Sequence, residues 1–188
     1  MLGVDNLNNE IQAILNPSSK DKKEKQVRDI VFREGDKVMQ IKNNYSLEWH
    51  RIGGDGENKG VGVFNGDMGY IETIDEERKV LSVVFDDERR VIYEFMFLDD
   101  LEFAYAITLH MSQGSEINVV VMPTFMGSAF LMNRNILYTG ITRAKELVVV
   151  VGNQRSLQYM VNNTNNMERY SSLKERIMDI TIDKNMIE

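Results

Sequence analysis

The sequence has 188 residues, of which 43% are hydrophobic, so it is long enough to form one or two packed domains. It contains no cysteine, which excludes disulfide bonds, a thiolate zinc site and a thiol nucleophile. The net charge is −7, which argues against a free-standing, non-specific nucleic-acid binder. The sequence shows neither a membrane-spanning apolar run nor a signal peptide, so we expect a cytoplasmic protein without membrane contacts.

The charge is distributed unevenly along the chain. Residues 35–102 carry 8 basic and 16 acidic side chains, whereas the remainder carries 14 basic and 13 acidic ones. One acidic region beside one balanced region indicates that the chain contains two modules.

The first predicted element is an amphipathic helix over residues 5–15. Its apolar side chains recur at helical spacing and form one stripe, made of Leu7, Ile11, Ile14 and Leu15. Asp5 is placed to cap the start of this helix, and Pro17 is placed to stop it. A polar, lysine-rich loop is predicted over residues 18–25.

Short strands rich in Val, Ile, Phe and Tyr follow between residues 31 and 101. They are predicted over residues 37–42, 69–74, 79–85 and 90–96, with turn-forming segments between them. Strands spaced by roughly ten residues are typical of a small antiparallel barrel. About 70 residues is also an ordinary size for a barrel of the SH3-like kind.

After residue 101 the pattern alternates between strands and helices. Strands are predicted over residues 104–109, 117–122 and 146–151, and helices over 131–143, 156–161 and 172–180. The unalternated valine run at residues 148–151 is typical of a central strand in a buried parallel sheet. We therefore predict an α/β domain, residues 1–30 and 102–188, interrupted by a barrel insert, residues 31–101.

Several groups that look catalytic are better explained by local structure. The pair Asp75-Glu76 follows a strand, as the Mg²⁺-binding acids of ATPases do, but it runs into further charged residues typical of an exposed hairpin turn. The acidic run at residues 86–88 has the same character. His50 and His110 are too few for a metal site. The Walker A pattern is absent, so the sequence lacks the usual cradle for ATP phosphates.

A polar cluster ends the predicted strand at residues 104–109. This polar segment, residues 106–116, carries hydroxyl, imidazole, amide, glycine and carboxylate groups at Thr108, His110, Ser112, Gln113, Gly114 and Glu116. Hydroxyls and backbone N–H groups at a strand end suit phosphate contacts. Gly114 permits close backbone approach, and Glu116 suits a ribose hydroxyl. The alternative interpretation is a polar connection between a strand and a helix.

A second candidate, the arginine segment at residues 135–145, is a predicted helix that ends near Arg143. A guanidinium group can stabilise the charge that develops on a transferred phosphoryl group. The alternative is that Arg143 binds the last carbonyl groups of its helix or a surface carboxylate.

The two segments together resemble motifs of superfamily 1 DNA helicases of the RecD-like branch (exodeoxyribonuclease V alpha-subunit family). Residues 108–116, T-L-H-M-S-Q-G-S-E, are similar to T-x-H-K-S-Q-G-x-E, and residues 137–145, L-Y-T-G-I-T-R-A-K, are similar to L-Y-T-A-I-T-R-A-K. The branch is further indicated by signature residues at Gly3, Leu7-Asn8, Gln12, Leu15-Asn16-Pro17, Gly35-Asp36-Lys37-Val38-Met39-Gln40, Asn43-Asn44-Tyr45, Phe64-Asn65-Gly66-Asp67 and Gly69.

The resemblance implies a fold: the second RecA-like motor domain of a helicase, incomplete here, with an SH3-like insert. It also implies that ATP and Mg²⁺ are bound mainly by a first motor domain that this sequence lacks. Arg143 would be the arginine finger and would bind the nucleotide together with Gln113, Gly114 and Glu116. Single-stranded DNA would contact the residues Thr108, His110 and Ser112.

Further expectations follow from the same resemblance. The parent protein would move 5′ to 3′ along single-stranded DNA, and this part would be inactive alone. Its partners would be DNA, ATP, the N-terminal motor domain of the same chain and subunits of a nuclease complex. Tyr138 and Thr142 would support the helix that precedes the arginine.

Two positions depart from the family pattern. Met111 replaces the usual lysine, which removes a cation that could contact DNA phosphate, and Gly140 replaces the usual alanine. The acidic insert and Met111 keep a second hypothesis open, a helicase-derived adaptor whose barrel binds a protein. A third hypothesis, a stand-alone hydrolase built on Asp75, Glu76 or the acids at residues 86–88, lacks any partner motif.

Overall fold

The computed structural model describes residues 3–53, 58–112, 114–125, 127–128, 131–164, 172 and 177. The chain divides into two compact units, Met1–Asn118 and Val119–Glu188. The first unit contains α1 (Val4–Leu15), β1 (Glu24–Val27), β2 (Ile30–Arg33), β3 (Lys37–Gln40), β4 (Asn44–Arg51), β5 (Lys59–Val63), β6 (Met68–Asp75), β7 (Val80–Phe85), β8 (Arg89–Glu94), a 3-10 helix (Phe95–Asp100) and β9 (Leu101–Phe103). β10 (Ile117–Thr124) begins at its end, and the second unit continues with α2 (Arg134–Ile141), β11 (Ala144–Gly152) and α3 (Gln154–Asn162).

The first unit is built on a curled antiparallel sheet of seven strands. Its order is β5-β4-β8-β7-β6-β3-β9, and β1 and β2 form a separate hairpin. The β6–β7 turn is closed by Asp75, whose carboxylate accepts hydrogen bonds from the backbone N–H groups of Glu77 and Arg78, both at 3.0 Å. The bond from Arg78 is the main cause of a lowered pKa at Asp75. The hairpin predicted at this acidic cluster is therefore confirmed.

The core of the first unit lies on the concave side of this sheet. Apolar side chains that alternate along the strands point inward, and Phe32 packs edge to face against Phe103 with the ring centroids 5.4 Å apart. The buried apolar set is Phe32, Val38, Leu47, Val63, Ile71, Ile74, Leu81, Val83, Phe85, Val91, Tyr93, Leu98, Leu101 and Phe103. Burial of each large apolar side chain contributes roughly 1.5–3 kcal/mol, so this unit has a core of its own.

The predicted SH3-like barrel is present as a curled antiparallel sheet, but it differs from the prediction in detail. Strands form at all four predicted positions, as β3, β6, β7 and β8. The β1–β2 hairpin, β4 and β5 were not predicted from the sequence; β4 is largely polar and β5 contains two glycines. Within the described residues, the edge strands β5 and β9 pair with one neighbour each, so the sheet is a half-barrel rather than a closed barrel.

The second unit contains a small parallel sheet, formed by β10 and β11. Its core consists of Met122, Met132, Leu137 and Met160, contributed by β10, α2, α3 and the turn before α2. The strand predicted at residues 146–151 is present within β11, but its burial was predicted wrongly. The side chains of Val149, Val150 and Val151 are 39–46% exposed, because β11 pairs only with β10 among the described strands.

Three further predictions concern a strand, a helix and the fold class. The strand expected at residues 104–109 is absent, because β9 ends at Phe103 and residues 104–108 have no regular structure. The helix expected at residues 172–180 falls almost entirely outside the described residues. The fold is mostly β rather than evenly α/β, and the division between a motor domain and an insert stays a prediction.

Among the described helices, none combines the length and apolar character needed to cross a membrane.

Candidate nucleotide and nucleic-acid site

The polar segment folds into two consecutive turns rather than a strand. The N–H of Ser112 donates to the carbonyl oxygen of Thr108 at 3.1 Å, and the N–H of Ser115 donates to the carbonyl oxygen of Ser112 at 3.1 Å. The hydroxyl oxygen of Thr108 accepts a hydrogen bond from the N–H of Met111 at 3.3 Å. Gly114 has a φ of +88°, a conformation that favours glycine. The backbone of this segment is therefore held by its own hydrogen bonds.

The turns sort the predicted ligand-binding side chains by exposure. Thr108, His110, Gly114 and Glu116 are exposed, so a ligand could reach them from solvent. Ser112 is only 3% exposed, and its hydroxyl donates to the carbonyl oxygen of Leu109 at 2.8 Å. In this geometry Ser112 stabilises the turn, and its contact with DNA stays a prediction. Gln113 lies outside the described residues.

Helix α1 holds the chain that leads into the polar segment, and it does so with its polar face. Asn8, Gln12 and Asn16 recur at i, i+4 and i+8 and are all buried. The apolar stripe found in the sequence is only partly covered: Ile14 is 75% exposed and Leu15 69% exposed, whereas Leu7 and Ile11 are half-buried. Gly3, not Asp5, occupies the N-cap position, so the predicted cap was wrong.

The carboxylate of Asp36 is the hub of the contacts made by α1. It is fully buried and accepts hydrogen bonds from the side chains of Gln12 and Asn16, both at 2.6 Å. It also accepts from the N–H of Arg33 at 2.7 Å and from the Tyr105 hydroxyl at 2.9 Å. Burial, and then the neighbouring Asp36, raise the pKa of Tyr105 to about 12. A buried carboxylate with four donors is a rigid junction between α1 and the sheet.

The arginine segment lies in the second unit and is described by itself. The side chain of Asn133 caps α2 by accepting the N–H of Ile136 at 3.0 Å. At the other end, the Thr142 hydroxyl donates to the carbonyl oxygen of Thr139 at 3.0 Å. Arg143 follows directly and is half-buried, and its backbone N–H donates to the carbonyl oxygen of Gly140 at 3.3 Å. The helix that precedes the arginine is thus capped at both ends.

The supporting roles expected around Arg143 differ in outcome. Thr142 does support the end of α2, through its hydroxyl and through its N–H on the carbonyl oxygen of Tyr138 at 3.0 Å. The side chain of Tyr138 is 68% exposed, so its supporting role stays a prediction. Gly140 is buried within α2, so a residue with a larger side chain at this position would have to be accommodated inside the packed unit.

Comparison with known proteins supports one family. The model of the SH3 domain of ATP-dependent RecD-like DNA helicases matches residues 7–85, and the model of the UvrD-like helicase C-terminal domain matches residues 103–151. The chain belongs to the RecD-like helicase family. The matched ranges include most of α1, most of the curled sheet, the polar segment and the arginine segment.

Individual relatives agree with the RecD-like assignment. The chain is 31% identical over 157 residues to the ATP-dependent RecD2 DNA helicase of Deinococcus radiodurans. The aligned region covers 84% of this chain and 19% of that protein. It is 31% identical over 158 residues to a protein of Methanocaldococcus jannaschii, and the aligned region covers 78% of this chain and 13% of that protein. It is 32% identical over 99 residues to the RecBCD enzyme subunit RecD of Mycobacterium tuberculosis, covering 53% and 17%. The RecD-like chain thus spans less than a fifth of these relatives.

The structure also assigns contacts to residues that the sequence analysis used only as a family signature. Gln12, Asn16 and Asp36 form a buried hydrogen-bonded network, and Asn8 makes a separate buried pair of hydrogen bonds with Ala106. Asn43 accepts the N–H of Asn65 at 2.9 Å. The spacing of the three amides on one face of α1 was the signal that could have revealed this network.

Proposed function

We propose that this chain is the C-terminal part of an ATP-dependent DNA helicase or translocase. It supplies an arginine finger and part of the track for single-stranded DNA. The observation that carries the proposal is the order of two polar sites in a RecD-like chain: an exposed, self-bonded turn over residues 108–116, then Arg143 at the end of a doubly capped helix.

The candidate residues offer groups that suit a nucleotide. The guanidinium of Arg143 suits a phosphoryl group. The carboxylate of Glu116, which follows Gln113 and Gly114 closely in sequence, suits a ribose hydroxyl. Bound ATP with Mg²⁺ supplies the phosphoryl group that is transferred to water. We propose that the first motor domain of the parent holds both, and that Arg143 stabilises negative charge at the phosphate.

The DNA track in this proposal starts at the exposed residues of the polar segment. Thr108 and His110 lie on the surface and offer a hydroxyl and an imidazole to phosphate oxygens. Ser112 keeps the turn in shape beneath them. The net negative charge of the chain is consistent with a short, positioned contact rather than a broad electrostatic one.

Family membership supports a proposal for the wider role. The parent moves 5′ to 3′, acts in the cytoplasm in DNA recombination and repair, and this part alone does not hydrolyse ATP. Its partners are single-stranded DNA, ATP, its own N-terminal motor domain and, by analogy with relatives named as RecBCD subunits, the other subunits of a nuclease complex.

The test is DNA-stimulated ATP turnover by the full-length parent, in the wild type and in Arg143→Ala. We expect turnover to fall by at least ~100-fold while nucleotide binding is retained, since arginine fingers contribute ~10³–10⁵ in rate. The matched control is Arg155→Ala, which removes an exposed arginine from α3 of the same unit. Equal turnover in Arg143→Ala and the wild type would exclude the arginine-finger role.

The acidic insert favours a second candidate function, a helicase-derived adaptor that binds a protein. Residues 35–102 carry twice as many acidic as basic side chains, a composition unsuited to DNA. A parent that shows no ATP turnover, yet binds a basic protein through this insert in a salt-dependent manner, would favour the adaptor.

A further inference from the structure

The polar segment is fixed at its start by a single side chain of α1. Asn8 donates from its Nδ2 to the carbonyl oxygen of Ala106 at 3.0 Å, and its Oδ1 accepts the N–H of Ala106 at 2.7 Å. Asn8 is only 5% exposed, and Ala106 lies beyond the end of β9. The amide thus provides the two hydrogen bonds that a neighbouring strand would otherwise provide, two residues before Thr108.

Asn8 is not the contact that attaches α1 to the sheet. Gln12 donates to Asp36 and to the carbonyl oxygen of Val31, and Asn16 donates to Asp36 and to the carbonyl oxygen of Glu34. Four hydrogen bonds therefore anchor the C-terminal half of the helix. Asn8 contributes a separate pair of bonds, directed only at the chain that enters the polar segment.

The other end of the polar segment lies against a turn of the insert. A Cβ built on Gly66 would lie 3.6 Å from the hydroxyl oxygen of Ser115, so the Ser115 side chain lies beside Gly66. This turn is itself held by side chains, because Asn43 accepts the N–H of Asn65 at 2.9 Å and Asp67 accepts the N–H of Phe64 at 3.0 Å. With one end of the segment beside a rigid turn, the pair of bonds at Ala106 determines how its start is oriented.

We propose that Asn8 is a positioning residue for DNA binding: its amide holds Ala106 so that Thr108 and His110 face the phosphates of the bound strand. This inference rests on the proposed function. Without the amide, the groups that bind DNA remain present, but the segment spends less time in the competent orientation. The apparent dissociation constant rises by the inverse of that fraction, whereas turnover at saturating DNA is retained.

The test compares two buried asparagines of α1 in the full-length parent. We expect Asn8→Ala to raise the DNA concentration that gives half-maximal ATP turnover on the order of tenfold, with maximal turnover changed less than about twofold. Asn16→Ala removes hydrogen bonds from the same helix to Glu34 and Asp36 but leaves both bonds to Ala106 in place, so it is expected to change both quantities less than about twofold. Asn9→Ala, on the exposed face of α1, is the neutral control.

Two measurements keep the outcomes distinct. Hydrogen exchange of peptides that cover residues 106–116 should rise in Asn8→Ala and in the equal-volume Asn8→Asp, but not in Asn16→Ala. The positioning role would be overturned if Asn8→Ala left the DNA concentration for half-maximal ATP turnover unchanged, or if Asn8→Ala and Asn16→Ala shifted it equally. The proposed motor function is tested separately, by ATP turnover in Arg143→Ala. If the wild-type parent shows no DNA-stimulated turnover, the proposed function fails first, and unchanged exchange would refute the Asn8 contact independently.

Discussion

The two units of the chain bury their apolar side chains very differently. The curled sheet of the first unit encloses a core of fourteen buried apolar residues, and its hairpins place polar residues at the turns. Among the residues that the structure describes, the core of the second unit has four buried apolar side chains, and the strand β11 leaves Leu147 and three valines exposed. The first unit therefore has the properties of an independent domain, whereas the described part of the second has a sheet with exposed apolar side chains.

The difference shows what an apolar sequence pattern reports. A continuous run of valines is typical of a strand that is covered on both faces, yet Val149, Val150 and Val151 are 39–46% exposed, so the run alone does not establish burial. The alternating pattern in β6 and β8 is typical of a sheet with one buried face, and the first unit buries that face with its own side chains. We expect the second unit to be the less stable of the two.

The largest expected effect separates the two cores. Leu81→Ala removes a fully buried side chain from the first unit and should lower its free energy of unfolding by about 2–5 kcal/mol. Leu137→Ala, in the smaller cluster of the second unit, should cost about 2 kcal/mol, since partly exposed neighbours can relax around it. Trp49, the single tryptophan, lies in the first unit, so its fluorescence in urea reports the stability of that unit.

Far-UV circular dichroism provides the control for this pair of variants, because α2 and α3 contribute to it from the second unit. Leu137→Ala should shift the dichroism transition and leave the fluorescence midpoint unchanged. A single transition shared by both probes, shifted equally by both variants, would show that the two units unfold as one.

A smaller effect is expected where the sheet of the first unit leaves no room. A Cβ added at Gly69 of β6 would lie 2.3 Å from the carbonyl oxygen of Val84 and 2.7 Å from the Cα of Phe85. Gly69→Ala must therefore displace the backbone of β7, at a cost of about 1–3 kcal/mol. The matched control is Gly53→Ala, where no atom lies within 4 Å but φ is +77°, so that strain without overpacking can be measured by the same fluorescence assay.

Much of the fold was predictable because it depends on local patterns. The β6–β7 hairpin follows from alternating apolar residues around a charged turn, and α2 and α3 follow from helical spacing beside asparagine caps. The β-strand β4 was not predictable from alternation, because only Leu47 of its eight residues is buried. The covering of β11 was not predictable either, since burial depends on what the strand meets.

The site shows the same division between local and long-range information. The motifs around Thr108 and Arg143 are contiguous in sequence, so they could be found by inspection. The contact between Asn8 and Ala106 joins residues 98 positions apart, and that between Tyr105 and Asp36 joins residues 69 apart. The spacing of the amides on α1 marks a polar face that could be buried, but the sequence does not identify Ala106 as the partner of Asn8 or Asp36 as the partner of Tyr105.

The smallest expected effect tests the junction beneath the polar segment. Tyr105→Phe removes the hydroxyl that donates to Asp36, and it should lower the free energy of unfolding of the first unit by about 1 kcal/mol at neutral pH. Asp36 keeps its other donors in this variant, which limits the loss.

The pH dependence of the same variant identifies the cause of that loss. In the unfolded chain a tyrosine ionises near pH ~10, whereas burial and Asp36 raise the pKa of Tyr105 to about 12 in the folded unit. The stabilising effect is therefore complete below pH ~10 and is lost as the pH rises towards about 12, because the unfolded state releases its proton first. Phenylalanine cannot titrate, so the stability difference between wild type and Tyr105→Phe should shrink over that interval. Tyr93, whose pKa is also raised by burial, is present in both proteins and cancels in the comparison. A difference that stays constant across the interval would mean that the Tyr105 phenol ionises equally easily in both states, which is incompatible with a lasting bond to Asp36.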